Sequence, residues 1–384
     1  MPFENSITLV KEQNPTSNPF SGARHPLAQD ADEAVEVLPG NQSRPLGKLG
    51  SGDHTIQFKD GREFLVHVPA GAENKTLPVM FVISGSAQPQ WNIKDFATES
   101  GVSKLADDPE HSFVAVYPLP KKHYLGRYSK EPAWAWNAEG SLIDKKDLKF
   151  AGYDDMAYVK SIANIIPKLA NVDSTHKDWG AIAWSQGGPF LNALISKEPN
   201  LFPSIGLVGS TMQYNYPYEM RPGNAQNVVI IDLLGDRITL PTTGSFGYYR
   251  RSLYRNILDC VGADGVIQRA SPLAAMDNWH QDPRLQEQFY AKNLFPRGTE
   301  LHYDKRNLST PAKSSEKDYV KEYHSNDGKA GRDLTVFRLI NAKHSYPGPI
   351  RENARTNAQE KYLEFDASAE FVKKFNTYND RIHR

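Results

Sequence analysis

The sequence predicts an α/β fold in which a mostly parallel central sheet carries helices on both faces. Two short alternating runs, at 54–59 and 62–68, surround Asp60-Gly61 and indicate an N-terminal β-hairpin. After the hairpin, apolar runs of strand length alternate with segments whose apolar residues have helical spacing. Strands that alternate with helices form parallel sheets covered on both sides, so the order of the elements predicts the fold class.

The first 50 residues lack these patterns. They are rich in Asn, Pro, Ser, Gly and acidic residues, and they show no sustained hydrophobic period. A segment of this kind buries too little apolar surface to offset the entropy lost on ordering. We therefore expect a flexible extension over 1–50 and an ordered domain over 51–384.

Strands and helices follow one another through the rest of the chain. Apolar runs predict strands at 77–83, 113–117, 179–184, 205–208, 228–233 and 334–340. Helical spacing predicts helices at about 93–106, 156–169, 189–196 and 367–375, the second of them capped by Asp154-Asp155. The connection from 237 to 332 is long for one link between strands. It predicts an insertion within 240–332 that holds a core helix, helical stretches at 248–258 and 272–279, and a lid-like excursion.

Ser185 lies at the turn between the apolar strand at 179–184 and a helix. A nucleophilic serine at such a turn has a strained backbone packed against the neighbouring strand and helix. Small residues are therefore needed two positions before it and two after it. Ala183 and Gly187 meet this need, whereas the similar pattern around Ser245 has no strand leading directly into it. Ser185 is the predicted nucleophile.

Two further residues complete a candidate catalytic triad. Asp236 comes shortly after the strand at 228–233, and His344 shortly after the strand at 334–340. Ser, then Asp, then His, each just past a strand, is the chain order of the α/β-hydrolase triad. The alternatives left open are Asp232 and Asp277 for the acid, and His280, His302 and His324 for the base.

A serine nucleophile also needs two hydrogen-bond donors for the negative charge that develops on the carbonyl oxygen. The backbone N–H of Gln186, directly after the nucleophile, is one expected donor. The other is the N–H of Ser86, past the strand that ends at Ile83. A shift of one residue would make the second donor Ala87.

Three aromatic residues flank these positions: Trp91, Trp184 and Tyr346. If all three face the site, they form a flat and rigid wall suited to short or aromatic acyl groups. Aromatic residues at such positions also serve core or loop packing, and the sequence leaves both roles open.

Several separate segments carry a resemblance to a known family. They are 62–71 (REFLVHVPAG), 96–97, 100–101, 105–107, 113–118 (FVAVYP), 134–137 (WAWN), 153–155 (YDD), 343–348 (KHSYPG) and 365–368 (FDAS). Together they resemble the polyhydroxybutyrate-depolymerase-like esterases, which include feruloyl esterases. The resemblance covers roughly 54–236 and 333–375, and it implies an α/β-hydrolase fold with a serine esterase activity.

The chain departs from that family at four points. Ser84-Gly85-Ser86 stands where the family usually has His-Gly-Cys, and Ala183 where glycine is commonest. Tyr346 stands where a tryptophan often follows the catalytic histidine, and the family's paired cysteines are missing. None of these departures removes a catalytic group.

Composition argues against several classes of protein. Lys and Arg total 45, as do Asp and Glu, so no net charge attracts nucleic acid or an anionic membrane. Cys260 is the single cysteine, which excludes an intrachain disulfide and a multi-cysteine metal site. No apolar run approaches the ~18 residues of a membrane span, and residues 1–6 do not begin a secretory signal. These features favour a cytoplasmic protein, and no metal or other cofactor is expected.

We therefore expect a serine carboxylic-ester hydrolase that works through an acyl-enzyme. Its expected substrates are short-chain, hydroxyalkanoate or hydroxycinnamoyl esters, either small or oligomeric. Two alternatives stay open: a non-catalytic binding protein of the same fold, and a serine peptidase of the same fold. The sequence gives no indication of the oligomeric state.

Overall fold

A computed structural model describes residues 34–39, 42–86, 92–123, 132–137, 154–210, 223–233, 283–295, 301–304, 319–324, 331–339, 346–347 and 365–384. Its strands are β1 (Val35–Leu38), β2 (Gln42–Pro45), β3 (Gly52–Gln57), β4 (Glu63–Val68), β5 (Val79–Ile83), β6 (Val114–Pro118), β7 (Lys121–His123), β8 (Ala133–Ala135), β9 (Trp179–Trp184), β10 (Ser204–Val208), β11 (Asn227–Leu233), β12 (Leu301–Asp304), β13 (Tyr319–His324) and β14 (Asp333–Leu339). Its α-helices are α1 (Ile93–Ser100), α2 (Val102–Ala106), α3 (Asp155–Leu169), α4 (Gly187–Lys197), α5 (Pro283–Leu294) and α6 (Ala367–Ile382), and a short 3₁₀ turn spans Ala72–Asn74.

Twelve of the described strands form one sheet, in the order β12-β13-β14-β11-β10-β9-β5-β6-β4-β3-β1-β2. The six strands from β14 to β6 in this order are parallel to one another. Antiparallel strands extend the sheet on both sides, with β4-β3-β1-β2 beyond β6 and β13-β12 beyond β14. β7 and β8 form a separate antiparallel pair.

Helices cover both faces of the sheet. Along β5, alternate side chains point to opposite sides, with Phe81 and Ile83 on one face and Met80 and Val82 on the other. The first face packs against α3, α4 and α5, and the second against α1, α2 and α6. The predicted fold, a mostly parallel sheet with an N-terminal hairpin and helices on both faces, is confirmed.

The helix predicted over 93–106 is interrupted. Gly101 has φ +67°, which ends α1 and begins α2. An L-residue with a side chain rarely adopts this backbone conformation, so glycine sets the position of the break. The capping box of Asn92 and Asp95 fixes the other end of α1.

The long connection before β14 contributes to the core and to the sheet. Phe289 and Tyr290 of α5 are buried in the core on the face of α3 and α4, and α5 packs on β11 and β14. β12 and β13 extend the sheet at this end, which the sequence did not predict. The helical stretches expected at 248–258 and 272–279, and the lid-like excursion, lie outside the described residues.

The segment 35–45 differs from the flexible extension expected there. β1 pairs with β3, and β2 pairs with β1 as the edge of the sheet. Lys48 then donates hydrogen bonds to the carbonyl oxygens of Pro167 (3.0 Å) and Ala170 (2.6 Å) at the end of α3. Backbone pairing and polar contacts hold this segment. Neither kind of contact can be predicted from composition, because composition indicates only how much apolar surface the segment could bury.

Candidate active site

The order of the parallel strands creates a crevice between β5 and β9. From β5 the chain crosses to β6 on one side, and it later returns to place β9 on the other side. Where the strand order reverses in this way, a crevice opens outside the carboxyl ends of the two strands, and ligands bind there in open α/β sheets. Ser84, Gly85 and Ser86 follow β5, and Ser185 follows β9. The predicted nucleophile and the predicted oxyanion loop therefore lie on the two sides of this crevice.

Ser185 has a left-handed backbone with φ +49°. Its N–H donates to the carbonyl oxygen of Val208 (3.0 Å), and its own carbonyl accepts from the N–H of Gly188 (3.0 Å). A non-glycine residue in this region costs on the order of 1–3 kcal/mol, and it persists only where the surrounding structure holds it in place. A strained serine on a sharp turn from a strand into a helix is the geometry of a nucleophile elbow.

Close packing around the elbow explains the small residues in its sequence. A Cβ at Gly187 would lie 2.5 Å from the carbonyl oxygen of Ser84 and 2.9 Å from that of Ile83. A Cβ at Gly85 would lie 2.9 Å from the Cβ of Ser185. The loop after β5 and the turn after β9 are therefore in direct contact, and neither glycine could carry a side chain without movement of its neighbours.

The two predicted oxyanion donors occupy suitable positions in the backbone. Gln186 is the N-cap residue of α4, and the first N–H groups of a helix have no partner within the helix. The partial positive charge at the N-terminus of a helix also favours an anion. Ser86 is exposed, three residues after the end of β5. The use of these two N–H groups as an oxyanion hole stays a prediction.

Trp184 is half-buried beside the predicted nucleophile. Its ring packs so closely against Gly209, which has φ +51°, that a Cβ there would overlap the ring. Tyr346 meets the ring of Trp184 edge-on, with ring centroids 5.5 Å apart. Of the two predicted pocket aromatics within the described residues, Trp184 and Tyr346, Trp184 is adjacent to Ser185 and keeps part of its surface accessible.

Tyr346 is only 7% exposed. Its ring also meets Phe96 edge-on at 5.7 Å, and its hydroxyl is hydrogen-bonded to the hydroxyl of Ser368 (2.7 Å), which donates to the carbonyl of Ser100 (2.6 Å). Burial raises the pKa of Tyr346 far above its usual value, so the hydroxyl stays neutral. These contacts make Tyr346 a rigid support behind Trp184, whereas contact between Tyr346 and a substrate stays a prediction.

The structure places two of the alternative histidines far from Ser185. β13, which ends at His324, is four strands from β9 in the sheet, and β12, which contains His302, is five strands away. At a strand spacing of ~4.8 Å these distances are roughly 19 and 24 Å. His324 also pairs with Asp333, the first residue of β14, so it lies at the amino-terminal edge of the parallel strands. Neither histidine is placed to accept a proton from Ser185.

The alternative acid Asp232 is buried in β11 beside Arg338 of β14. Oδ2 of Asp232 lies 3.3 Å from Nε of Arg338, and the same guanidinium also bonds the carboxylate of Glu287. Asp232 therefore belongs to a buried cluster of charges that joins two strands to α5.

The remaining predicted site residues lie outside the described residues: Asp236, His344, Trp91, Ala87, Asp277, His280 and Ser245.

Within the described ranges, no helix is long and apolar enough to cross a membrane. The same part of the chain contains no group of three or more His, Cys, Asp or Glu residues that could hold a metal ion. The sequence assigned no role to Trp136 beyond its place in the segment 134–137. The structure buries Trp136 directly behind the elbow, where its ring stacks on Phe190 of α4 with centroids 4.5 Å apart.

In sequence, the chain matches no protein-family model and no curated protein. Among solved structures it is similar to an S-formylglutathione hydrolase from Agrobacterium tumefaciens, with 11% identity over 87% of this chain and 98% of that chain and a TM-score of 0.43. An acetyl xylan esterase from Aspergillus awamori shows 10% identity, covers 82% of this chain and 94% of its own, and gives a TM-score of 0.40. A ferulic acid esterase from Anaeromyces mucronatus shows 15% identity over 54% of this chain and 78% of its own, with a TM-score of 0.31.

The fold of the chain is the α/β-hydrolase fold. The strand order, the helices on both faces and the elbow at the carboxyl end of β9 define it.

Proposed function

We propose that the protein is a serine carboxylic-ester hydrolase that acts through an acyl-enzyme. The observation that carries this proposal is the positive φ of Ser185 at the carboxyl end of β9, beside the crevice between β5 and β9. A serine with a purely structural role gains nothing from a strained backbone that glycine adopts freely. The strain has a use when the turn must present the side-chain oxygen to a substrate.

The reaction proceeds in two halves. His344 accepts the proton of the Ser185 hydroxyl while the oxygen forms a bond to the carbonyl carbon of the ester. The bond to the leaving alcohol then breaks, and the alcohol takes the proton from His344. In the second half, His344 deprotonates a water molecule that attacks the acyl carbon. The bond from that carbon to the Ser185 oxygen then breaks, the serine oxygen takes the proton from His344, and the acid is released. Asp236 holds the imidazole in the correct tautomer and stabilises its cationic form.

The N–H groups of Gln186 and Ser86 stabilise the negative charge on the carbonyl oxygen in both halves. Because these donors are held in place before the reaction, they need little reorganisation when the charge develops. The N-terminus of α4 adds a favourable dipole at the same position.

The substrates that we propose are short-chain, hydroxyalkanoate or hydroxycinnamoyl esters. The ring of Trp184 is adjacent to the nucleophile and is held between Gly209 and Tyr346. A rigid aromatic surface favours short or flat acyl groups over long flexible chains.

Butyrate and hydroxycinnamate esters should therefore be cleaved faster than palmitate esters. Trp184→Ala should raise the KM for hydroxycinnamate esters by a factor that corresponds to about 1–3 kcal/mol of binding. Equal turnover of palmitate would contradict this choice of substrate.

The test of the proposal is covalent labelling with a fluorophosphonate probe, followed by assays on matched ester and amide substrates. The wild-type protein should be labelled at Ser185 and should hydrolyse the ester faster than the amide. Ser185→Ala should abolish labelling, whereas Ser245→Ala, at the similar sequence pattern, should leave it intact. Absence of labelling and of turnover in the wild type would favour a non-catalytic binding protein. Faster cleavage of the amide would favour a peptidase.

A further inference from the structure

A buried set of hydrogen bonds joins the loop after β5 to the turn after β9. The side chain of Gln186 pairs with the backbone of Trp136, because its Oε1 accepts from the N–H of Trp136 (2.9 Å) and its Nε2 donates to the carbonyl of Trp136 (2.8 Å). The indole Nε1 of Trp136 donates in turn to the carbonyl of Ser84 (2.7 Å). All three residues are buried. We call Trp136, Gln186 and Ser84 the brace.

The brace is itself fixed to the rest of the domain. The N–H of Asn137, next to Trp136, donates to Oδ2 of Asp155 (2.6 Å), and Oδ1 of Asp155 accepts from Nη2 of Arg62 (2.5 Å). The guanidinium of Arg62 lies over the ring of Tyr158, 3.4 Å from its centroid. A buried ion pair between the residue that precedes β4 and the start of α3 therefore holds the backbone on which Gln186 and Ser84 depend.

The brace includes one residue on each side of the crevice, Gln186 after β9 and Ser84 after β5. Gln186 supplies the first predicted oxyanion donor, and its side chain is bonded to Trp136 rather than extended toward the crevice. Ser84 precedes Gly85, the residue through which the chain reaches the second donor, Ser86. Glycine has the widest backbone freedom of all residues. The N–H of Ser86 can therefore keep its position only if the backbone before Gly85 is held, and the hydrogen bond to the carbonyl of Ser84 holds it.

We propose that Trp136 and the side chain of Gln186 are positioning residues that set the separation of the two oxyanion donors. This inference rests on the proposed esterase function. Oxyanion donors must lie 2.7–3.1 Å from the charged oxygen, and loss of one donor costs about 10²–10³ in kcat. Removal of the indole hydrogen bond displaces a donor without deleting it. We therefore expect kcat to fall by about ten-fold or more, which is less than the complete loss of a donor would cause. KM changes little, because the lost interaction develops in the transition state.

Trp136→Phe is the test variant, since it removes the indole N–H and keeps an aromatic ring against Phe190. Trp179→Phe is its matched control. Trp179 is also a fully buried tryptophan whose Nε1 donates to a backbone carbonyl, that of Asp173 (2.9 Å), and its ring stacks on Phe81. It lies at the opposite end of β9, roughly 20 Å from Ser185 at the usual rise of a strand. Both variants lose the same kind of hydrogen bond, but only Trp136→Phe loses it at the brace.

The measurement is kcat and KM for an ester and for the thionoester with the same acyl and alcohol groups. Sulfur is a weaker hydrogen-bond acceptor than oxygen, so the thionoester depends less on the oxyanion donors. Trp136→Phe should lower kcat for the ester more than for the thionoester, whereas Trp179→Phe should leave their ratio at the wild-type value. If Trp136→Phe does not fold, Gln186→Met, which removes both polar atoms at similar length, should show the same change in ratio.

An unchanged ratio in the brace variant, together with a loss of stability equal to that of Trp179→Phe, would show that the brace serves folding alone and would overturn the inference. Failure of the proposed function has a different signature, because the wild-type protein itself would then neither take up the fluorophosphonate nor turn over the ester. That result would overturn both proposals.

Discussion

The centre and the N-terminal edge of the sheet are held by different forces. Along β9 and β10, every side chain is buried except that of Trp184, because helices cover both faces. β2 exposes all of its side chains, and those of β1 are half-buried apart from the buried Glu36. Backbone pairing with β3 and a few polar side chains, such as Glu36 with Arg44 and Lys48 with the end of α3, hold this edge.

This difference bears on where strain can be stored. Burial of apolar surface stabilises the folded state by about 25 cal/mol per Å². Strands that are covered on both faces are therefore stable enough to keep a residue such as Ser185 in an unfavourable backbone conformation. An edge strand held by individual polar contacts has no such surplus, because each contact contributes only about 0.5–1.5 kcal/mol. The elbow therefore lies at the position where the fold is held most firmly.

The largest expected effect tests the role of the centre in catalysis. Ser185→Ala and His344→Ala should each lower ester turnover on the order of a million-fold, because nucleophile and base act as one unit. Asp236→Asn should cost less, about 10⁴-fold, because both groups remain and only the tautomer is wrong. The double variant of Ser185 and His344 should be barely worse than the worse single variant. Steady-state kinetics with circular dichroism as a folding control checks this, and full activity in His344→Ala would remove that residue from the mechanism.

A second expected effect concerns stability beside the site. Asp155→Ala leaves Arg62 as an uncompensated buried charge, and such a loss costs about 3–5 kcal/mol of the free energy of unfolding. Lys160 and Glu198 form the matched surface pair, at 2.7 Å but with both side chains partly exposed, so Glu198→Ala should cost about 0–1 kcal/mol. Urea unfolding of both variants measures the difference. Equal losses would mean that Arg62 is compensated by its contact with Tyr158 rather than by Asp155.

Elements of the centre could be predicted from sequence because burial leaves a pattern. The strand over 228–233 and the helix over 156–169 were placed within one residue of their observed bounds. The break at Gly101 was missed, since a glycine within a helical period is compatible with a continuous helix. β2 was missed because all four of its residues are exposed, and β1 because a run of four residues is too short to stand out beside the polar residues around it.

The candidate site was predictable to a different extent at each residue. The elbow at Ser185 was visible because Gly187 packs against the carbonyls of Ser84 and Ile83, which leaves room for no other residue. The bonds between Gln186 and Trp136 left no signal, because a buried amide that pairs with backbone looks the same in sequence as an exposed one. Side-chain partners 50 residues apart follow from the packing of the fold rather than from any local motif.

Truncation tests the edge of the sheet directly. Removal of residues 2–33 should leave the melting temperature nearly unchanged, as their composition indicates. Removal of residues 2–48 also deletes β1, β2 and the hydrogen bonds of Lys48, and it leaves β3 as an unpaired edge. The longer deletion should lower the melting temperature by at least about 1–2 °C, because the shift that 1 kcal/mol produces falls as a domain grows beyond ~250 residues. Differential scanning calorimetry distinguishes the two, and equal melting temperatures would mean that the edge strands add no stability.

The smallest expected effect depends on pH and concerns Glu36, which is 4% exposed in β1. Burial opposes its ionisation, but hydrogen bonds and charges from Arg44 (2.7 Å) and His54 (2.8 Å) outweigh burial and lower the pKa of Glu36. A carboxyl group whose pKa is lower in the folded state than in the unfolded state stabilises the fold fully at pH values above its unfolded pKa. This contribution is lost as the pH falls through the lowered folded pKa.

Glu36→Gln should therefore reduce stability at neutral pH by about 0.2–1 kcal/mol, a small effect because Arg44 is half-exposed and solvent screens its charge. The difference between wild type and variant should shrink as the pH falls through the lowered folded pKa of Glu36, where the wild-type carboxyl also becomes neutral. Urea unfolding across this pH range measures it, with Ser185→Ala as the control because that substitution removes no titrating carboxylate. A difference that grows as the pH falls would show that Glu36 is stabilised in its protonated form, and the edge would then be held by a neutral hydrogen bond rather than by charge.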